Sequence, residues 1–331
     1  MTEAAAPALS IVIPVYNGAD SIGELVNALA RLSVPGGMEI LLVNDGSPDA
    51  SEAVCRALTR REDVPVTLVN LARNYGEHNA VMCGLKLARG SHVITMDDDL
   101  QNPPEEVLRL LEHAQAGGYD VVYTRYAETR QSWARRLGSR FTNWMADFLL
   151  DKPKGLYLSS FRCMNGFVAR EIASYAGPYP YVDGLIMQVT QNIGSLLVRH
   201  LPRRAGRSNY NFRRLIRLWL RVAVNFSIMP LRLGLLLGAL LGFVGLVYSV
   251  VLLVEYFLYD LPLGYGSLMS AILVFSGAQL MIVGMLGEYV GRIYLTVSQR
   301  PQYTVRERVS SAAAVTAAEA APETWSGMVQ R

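Results

Sequence analysis

Five short apolar runs alternate with helical segments in the first 124 residues, and this pattern constrains the fold more than any other feature of the chain. The runs are residues 9–15, 39–43, 66–71, 92–96 and 119–124. Residues 21–32, 49–58, 78–87 and 105–116 lie between them and carry apolar side chains at helical spacing. A short apolar run closed by turn residues reads as a strand buried on both faces. Strands alternating with helices predict a mostly parallel sheet with helices on both faces. Ligands bind such sheets beyond the carboxyl ends of the strands. The loop after the first run lacks G-x-G-x-x-G, which argues against a dinucleotide-binding domain.

The loops that follow the strands hold the chemistry. Asp97-Asp98-Asp99-Leu100-Gln101 closes the fourth run, and Pro103, Pro104, Glu105 and Glu106 then start a helix. On an extended segment Asp97, Asp99 and Gln101 share one side and Asp98 turns away. Two carboxylates and an amide oxygen form a partial shell for Mg²⁺ or Mn²⁺, which suits a phosphate-bearing ligand. The plainer reading is a solvated acidic loop that decorates a helix N-terminus. Asp45, in Asn44-Asp45-Gly46-Ser47, is placed to accept hydrogen bonds from a base or ribose, or else belongs to a helix N-cap region with Asp49. Arg73, in Arg73-Asn74-Tyr75-Gly76, can reach a diphosphate or Asp45, or form an ordinary loop salt bridge.

The second half of the chain is different. Residues 231–259 and 267–290 each supply the roughly 20 apolar residues a transmembrane helix needs. Only seven residues, 260–266, separate them. Arg221 and Arg232 precede the first block and Arg292, Arg300, Arg306 and Arg308 follow the second, whereas the connecting loop has no arginine. The positive-inside rule then places both ends in the cytoplasm and the loop outside. Residues 131–157 and 212–224 read as amphipathic helices with interleaved arginines, suited to packing or to a membrane surface. A net charge of +3 is too small to suggest nucleic acid. Cys55, Cys83 and Cys163 lack metal-site spacing and read as reduced cytoplasmic thiols. The first ten residues have neither a basic region nor a long apolar core, so no signal peptide is expected.

The ordered motif set resembles the inverting family 2 glycosyltransferases of GT-A fold. It comprises Ile13-Pro14-Val15-Tyr16-Asn17, Val43-Asn44-Asp45-Gly46-Ser47, Arg73-Asn74-Tyr75-Gly76 and the run from Asp97 to Glu105. Gly206-Arg207-Ser208-Asn209-Tyr210, the two apolar blocks, the run from Leu286 to Tyr294 and Arg300-Pro301-Gln302-Tyr303 narrow the resemblance to polyprenyl-phosphate glycosyltransferases. That group includes dolichol-phosphate mannose synthase and the GtrB-type glucosyltransferases. The likeness is greatest to enzymes that load formamido-arabinose onto undecaprenyl phosphate (the ArnC type).

The resemblance implies site roles. Pro14, Tyr16, Asp45, Arg73 and Asp97 match positions that bind the nucleotide-sugar, with a UDP-sugar as the expected donor. Asp97, Asp99 and Gln101 match the metal group. Asp97, Asp99, Arg125, Arg203 and either Arg135 or Arg136 match catalytic positions, the arginines lying near phosphates. Arg203, Arg207 and Ser208 match the acceptor-phosphate site. Two positions depart from many relatives: Gly18 replaces a Glu, and Asn209 replaces a Lys.

The implied layout is a disordered N-terminus (1–8), a cytoplasmic GT-A domain (9–210), an interfacial helix (211–230), a transmembrane hairpin (231–259 and 267–290) around a short periplasmic loop (260–266), a cytoplasmic segment (291–309) and a disordered tail (310–331). The expected enzyme lies in the bacterial inner membrane as a multi-pass protein and transfers a sugar to undecaprenyl phosphate, with a homotetramer as one option. The alternatives are a different lipid acceptor or a membrane protein that binds a sugar nucleotide without transferring it. A processive polysaccharide synthase is disfavoured, because the chain lacks Gln-x-x-Arg-Trp and has too few apolar blocks for a channel.

Overall fold

The computed structural model describes residues 6–126, 156–201, 264–298 and 301–311, Ala314 and scattered positions between 234 and 258. They fall into two units, one built from the chain before residue 210 and after residue 300, the other from residues 210–300. The amphipathic segments expected at 131–157 and 212–224 lie almost wholly outside the described residues.

The first unit is an α/β sandwich. Strands β1 (Leu9–Val15), β2 (Met38–Asn44), β3 (Val66–Leu71), β4 (His92–Thr95) and β5 (Val121–Tyr126) alternate with helices α1 (Ile22–Leu29), α2 (Ser51–Leu58), α3 (Glu77–Leu87) and α4 (Glu105–Gly117). These are the elements the apolar periodicity predicts. Strands β6 (Arg162–Asn165), β7 (Ile193–Val198) and β8 (Val305–Ser310) and helices α5 (Gly166–Ala173) and α6 (Val182–Val189) complete the unit. The eight strands form one sheet in the order β7-β5-β6-β4-β1-β2-β3-β8. Strands β4, β1, β2 and β3 are mutually parallel, whereas β6 and β8 run antiparallel to their neighbours.

Alternation along the strands sorts side chains onto two cores. Leu9, Ile11, Ile13 and Val15 of β1 are fully buried with Leu25 and Leu29 of α1 and Leu110 of α4. Val43 and Val69 face the other way, onto Ala80 and Cys83 of α3. Each fully buried Leu, Ile or Val contributes about 1.5–3 kcal/mol of transfer free energy. Such burial on both faces explains why the central strands are continuous apolar runs.

Strand β8 was not foreseen. It pairs with β3, aligning Val69 with Arg308 and Asn70 with Glu307. Ser311 extends the pairing: its N–H donates to the Val66 carbonyl at 2.9 Å, and its hydroxyl accepts from the Val66 N–H at 3.2 Å. Ser311 and Ala314 are buried, so the ordered body runs past the boundary expected at residue 310. Arg306 and Arg308 therefore belong to the sheet of the first unit.

In the second unit, helix α7 spans Tyr265–Val297 and overruns the second apolar block at both ends. Every described position between 234 and 258 is helical. A Cβ built at Gly234 would meet Met285 at 3.5 Å, one at Gly238 would meet Ile282 at 3.3 Å, and one at Gly245 would meet Phe275 at 2.6 Å. Positions that rise along the first segment meet positions that fall along α7, so the two pack antiparallel. Among the described residues, no helix is long and apolar enough to cross a membrane.

A buried charge cluster pins the amino ends of the central strands. The Glu39 carboxylate accepts from Ser10 Oγ at 2.7 Å and from the Arg89 backbone N–H at 2.8 Å, and it pairs with the Arg89 guanidinium at 2.6 Å. Glu39 is only 3% exposed. Glu39→Ala leaves Arg89 and Ser10 without their acceptor, so it is expected to cost about 3–5 kcal/mol. Denaturant unfolding of the variant measures this.

Candidate active site

The strand order reverses at β1. The chain proceeds from β1 to β2 and β3 on one side, then returns to place β4 on the other. Loops leaving β1 and β4 therefore diverge and open a crevice at their carboxyl ends. A cleft of about 300 Å³ lies there, and its wall includes Pro14, Tyr16, Asp45, Asp97 and Asp99. These sequence-predicted residues come from three loops separated by up to 85 positions and meet in one place. Asp98 and Glu77 also line it.

Asp45 is fixed by the loop after β3. Its two carboxylate oxygens accept from the backbone N–H groups of Tyr75 at 2.7 Å and Gly76 at 2.8 Å. Burial raises its pKa, and those two amides offset part of the rise. Gly46 makes this approach possible. It has φ +63°, and a Cβ there would lie 2.6 Å from the Arg73 carbonyl carbon. Arg73 itself is exposed and stacks over the Tyr75 ring at 4.8 Å rather than lining the cleft. Tyr16 is 49% exposed, leaving an aromatic face open beside Asp45.

The acidic loop divides its roles. Asp97 accepts from Ser160 Oγ at 2.6 Å, which orients its carboxylate. Asp98 accepts from the Tyr16 backbone N–H, while its Oδ2 is buried without a hydrogen-bond partner among the described residues. A Cβ built at Gly18 would overlap that oxygen. This gives a physical reason for Gly18, one of the two departures from the resembled pattern: Asp98 fills the space a side chain would need. Asp98 therefore lines the cleft together with Asp97 and Asp99, and its carboxylate packs against Gly18.

Alternation does not extend to Gln101. Leu100 is left-handed at φ +59°, so the segment is not extended there. Gln101 is not in the cleft wall, and its Nε2 lies 3.4 Å from the Leu201 carbonyl. Arg125, on β5, is exposed and likewise outside the wall. Arg135, Arg136, Arg203, Arg207 and Ser208 lie outside the described residues.

Glu77, Asp183 and Arg162 were not singled out from the sequence. Arg162 is fully enclosed behind the cleft and pairs with Asp183, which also accepts from Tyr123 Oη at 2.9 Å. Their signal was weak because an Arg on a four-residue strand and an Asp on a short helix meet only in three dimensions. The surrounding protein, and then the Asp97 carboxylate, push Glu77 up to about 7, with Arg162 acting in the opposite direction. Burial, and then Asp97, push Asp98 up to about 7 as well.

Among the described residues, no group of three or more His, Cys, Asp or Glu side chains converges as a complete metal shell. Asp97 and Asp99 are nevertheless hard oxygen donors on one cleft wall, and they fit a divalent ion whose remaining ligands are phosphate oxygens and water. Five carboxyl groups in one cleft would repel an anionic ligand unless protons or a cation offset them.

Two measurements follow from this geometry. Glu77 and Asp98 hold protons more tightly in the folded protein than in the unfolded chain. Their contribution to stability is therefore complete below about pH 4 and is lost as pH rises through about 7. In metal-free protein, Glu77→Gln/Asp98→Asn should lose less thermal stability than the parent between about pH 5 and about pH 8. Gly18→Ala should destabilise the chain by about 1–3 kcal/mol. Adding Asp98→Ala should recover part of that loss in a double-mutant cycle.

The glycosyl transferase family 2 model matches residues 10–174, which contain every loop of the cleft. An undecaprenyl-phosphate 4-deoxy-4-formamido-L-arabinose transferase of Edwardsiella ictaluri is 35% identical over 314 residues, covering 91% of this chain and 94% of its own. A protein of that name from Enterobacter sp. is 34% identical, covering 94% and 96%. Among solved structures, glucosyl-3-phosphoglycerate synthase from Mycobacterium tuberculosis, in complex with Mn²⁺, uridine diphosphate and glucosyl-3-phosphoglycerate, has TM-score 0.49 and 18% identity, covering 67% of this chain and 79% of its own. S. aureus TarS with UDP-GlcNAc has TM-score 0.46 and 20% identity, covering 66% and 67%. At that level of likeness the sheet order, rather than the resemblance, carries the description of the fold. The family match and the near full-length relatives together establish that the chain is an enzyme belonging to glycosyl transferase family 2.

Proposed function

We propose that the chain moves a sugar from a nucleotide-sugar, with uridine diphosphate as the carrier, to undecaprenyl phosphate at the cytoplasmic face of the bacterial inner membrane, inverting the anomeric centre. The observation that carries this reading is the meeting of Pro14, Tyr16, Asp45, Asp97 and Asp99 in one cleft. The names of the near full-length relatives supply the acceptor and point to envelope lipid modification.

The residues divide the work. Tyr16 offers an aromatic face to a base, and Asp45, held by two amides, keeps free lone pairs for a base or ribose donor. Asp97 and Asp99 would hold Mg²⁺ or Mn²⁺, which as a Lewis acid supplies charge neutralisation for the leaving diphosphate. The Ser160 hydroxyl donates to the Asp97 carboxylate at 2.6 Å and would restrict its rotation when an ion is bound. The lipid phosphate has a second pKa near 6, so it is largely dianionic at neutral pH and needs no dedicated base to attack. A single displacement then inverts configuration. Arg125, Arg135, Arg203, Arg207 and Ser208 remain the proposed phosphate-binding positions, whereas Gln101, turned toward Leu201, is not carried forward as a ligand.

The membrane reading rests on two observations. Many described residues on the surface of the second unit are large and apolar: Leu280 is 72% exposed, Leu236 66% and Phe243 65%. Such a surface calls for lipid or a partner. Moreover, the chain leaves the first unit before residue 210 and returns to its sheet through β8. Any segment between those points crosses a membrane an even number of times. That agrees with a hairpin of residues 231–259 and 267–290 and with a cytoplasmic catalytic unit. Since Arg306 and Arg308 lie in the sheet, the positive flank rests on Arg221, Arg232, Arg292 and Arg300.

The test is transfer in membranes containing the full chain, using labelled UDP-sugars and undecaprenyl phosphate with lipid products read by mass. Asp99→Asn should reduce transfer by about 10²–10³-fold. Undiminished transfer would remove the metal assignment. Nucleotide binding without UDP release in the parent chain would favour a non-catalytic binder.

A further inference from the structure

The strand that leads out of the sheet toward residues 203–208 does not leave freely. From β7 onward, three consecutive residues contact the elements around the loop that carries Asp97 and Asp99: Arg199 meets the first turn of α4, His200 the last residue of β5, and Leu201 the Gln101 end of the loop itself. The Arg199 N–H faces Glu106 Oε1 at 3.4 Å. The His200 ring lies on the Tyr126 ring, with centroids 4.1 Å apart and planes 35° apart. The Leu201 N–H donates to the Gln101 carbonyl at 2.8 Å, and Gln101 Nε2 returns toward the Leu201 carbonyl at 3.4 Å.

Tyr126 joins the two sides. Its hydroxyl donates to Asn102 Oδ1 at 3.1 Å and lies 3.1 Å from Ser159 Oγ. Asn102 is 3% exposed and directly follows Gln101. The left-handed Leu100 supports the same arrangement, because it diverts the chain after Asp99 so that Gln101 faces Leu201. A φ above zero is costly for a Leu and persists only where its surroundings hold it. His200 and Leu201 are both exposed, so burial alone does not hold this segment in place. The contacts are specific, and they join the donor-side loop to the chain that continues into the basic segment.

We propose that Tyr126 and His200 are positioning residues that latch the start of the acceptor-phosphate segment to the metal-binding loop. The inference rests on the reading of residues 203–208 as the acceptor-phosphate site and adds how that site is registered against the donor. Arg203 follows Leu201 by two positions, and a chain extends no more than about 3.3–3.6 Å per residue. Leu201, the last described residue before that segment, is hydrogen-bonded to Gln101 at the end of the acidic loop. An acceptor phosphate must be held in line with the leaving diphosphate, and small misplacements are costly to the rate. A latch between the two loops supplies that registration without touching either substrate.

The test combines kinetics with amide hydrogen exchange on the full chain in detergent or nanodiscs. His200→Ala removes the stack, and His200→Tyr keeps an aromatic ring in its place. His200→Ala should speed exchange at the Leu201 amide while β1 to β3 remain protected. It should raise KM for undecaprenyl phosphate roughly three- to tenfold, the scale of one lost aromatic pair, and leave KM for the nucleotide-sugar within about twofold. His200→Tyr should restore both readouts, and Tyr126→Phe, which keeps the ring but loses the hydroxyl, should fall between. Unchanged exchange at Leu201 would overturn the latch. Faster exchange with an unchanged acceptor KM, or equal rises in both KM values, would overturn the positioning role. A parent chain that transfers nothing to lipid phosphate would overturn the functional reading and the acceptor role with it, while exchange at Leu201 would still decide whether the latch exists.

Discussion

Strand β1 is the member on which the site depends. It is parallel to β2 on one side and to β4 on the other, and the chain departs from it in opposite directions. Loops that would otherwise pack together are forced apart at its carboxyl end. The resulting crevice receives Tyr16 from β1, Asp45 from β2 and the acids from β4. Full burial of Leu9, Ile11, Ile13 and Val15 fixes β1 in register, because a one-residue slip would move those side chains to the opposite face.

The cleft concentrates negative charge, and the protein manages it by several means. Asp45 is satisfied by two backbone amides, and Asp97 by the Ser160 hydroxyl. Asp98 is withdrawn beneath Gly18, where burial favours its neutral form. Behind the wall, the Arg162–Asp183 pair with Tyr123 places a buried cation close enough to act on Glu77. Asp97 and Asp99 are thus left as the carboxylates suited to meet a cation brought in with a ligand. The arrangement is costly without that ligand, as sites that bind charged groups commonly are.

Strand β8 makes the catalytic unit discontinuous in sequence. Residues 305–311 close the β3 edge, and Arg56 pairs with Glu307 at 2.9 Å across helix α2 and this strand. An exposed β3 edge would present unpaired backbone groups to other chains, and β8 covers it. The same pairing requires the chain between the two parts of the unit to return to where it started, which is the topology a hairpin provides.

Much of this was legible in the sequence. The apolar runs gave β1 to β5, most of them to within a residue or two, because burial on both faces leaves a periodic mark that local turn residues bound. Clustering of Pro14, Tyr16, Asp45, Asp97 and Asp99 followed from the rule that parallel strands share one carboxyl edge. The rest was decided by tertiary structure. Strand β8, Val-Arg-Glu-Arg-Val-Ser, carries three consecutive charges and no apolar alternation, and it becomes a strand only by pairing with β3. Strand β6 has four residues, too few for a period to register. The turn at Leu100 broke the alternation expected through Gln101 because contacts with Leu201, 100 positions away, hold a conformation that Leu does not prefer. Local burial patterns are written in neighbouring residues, whereas pairings and strained turns draw their free energy from partners distant in sequence.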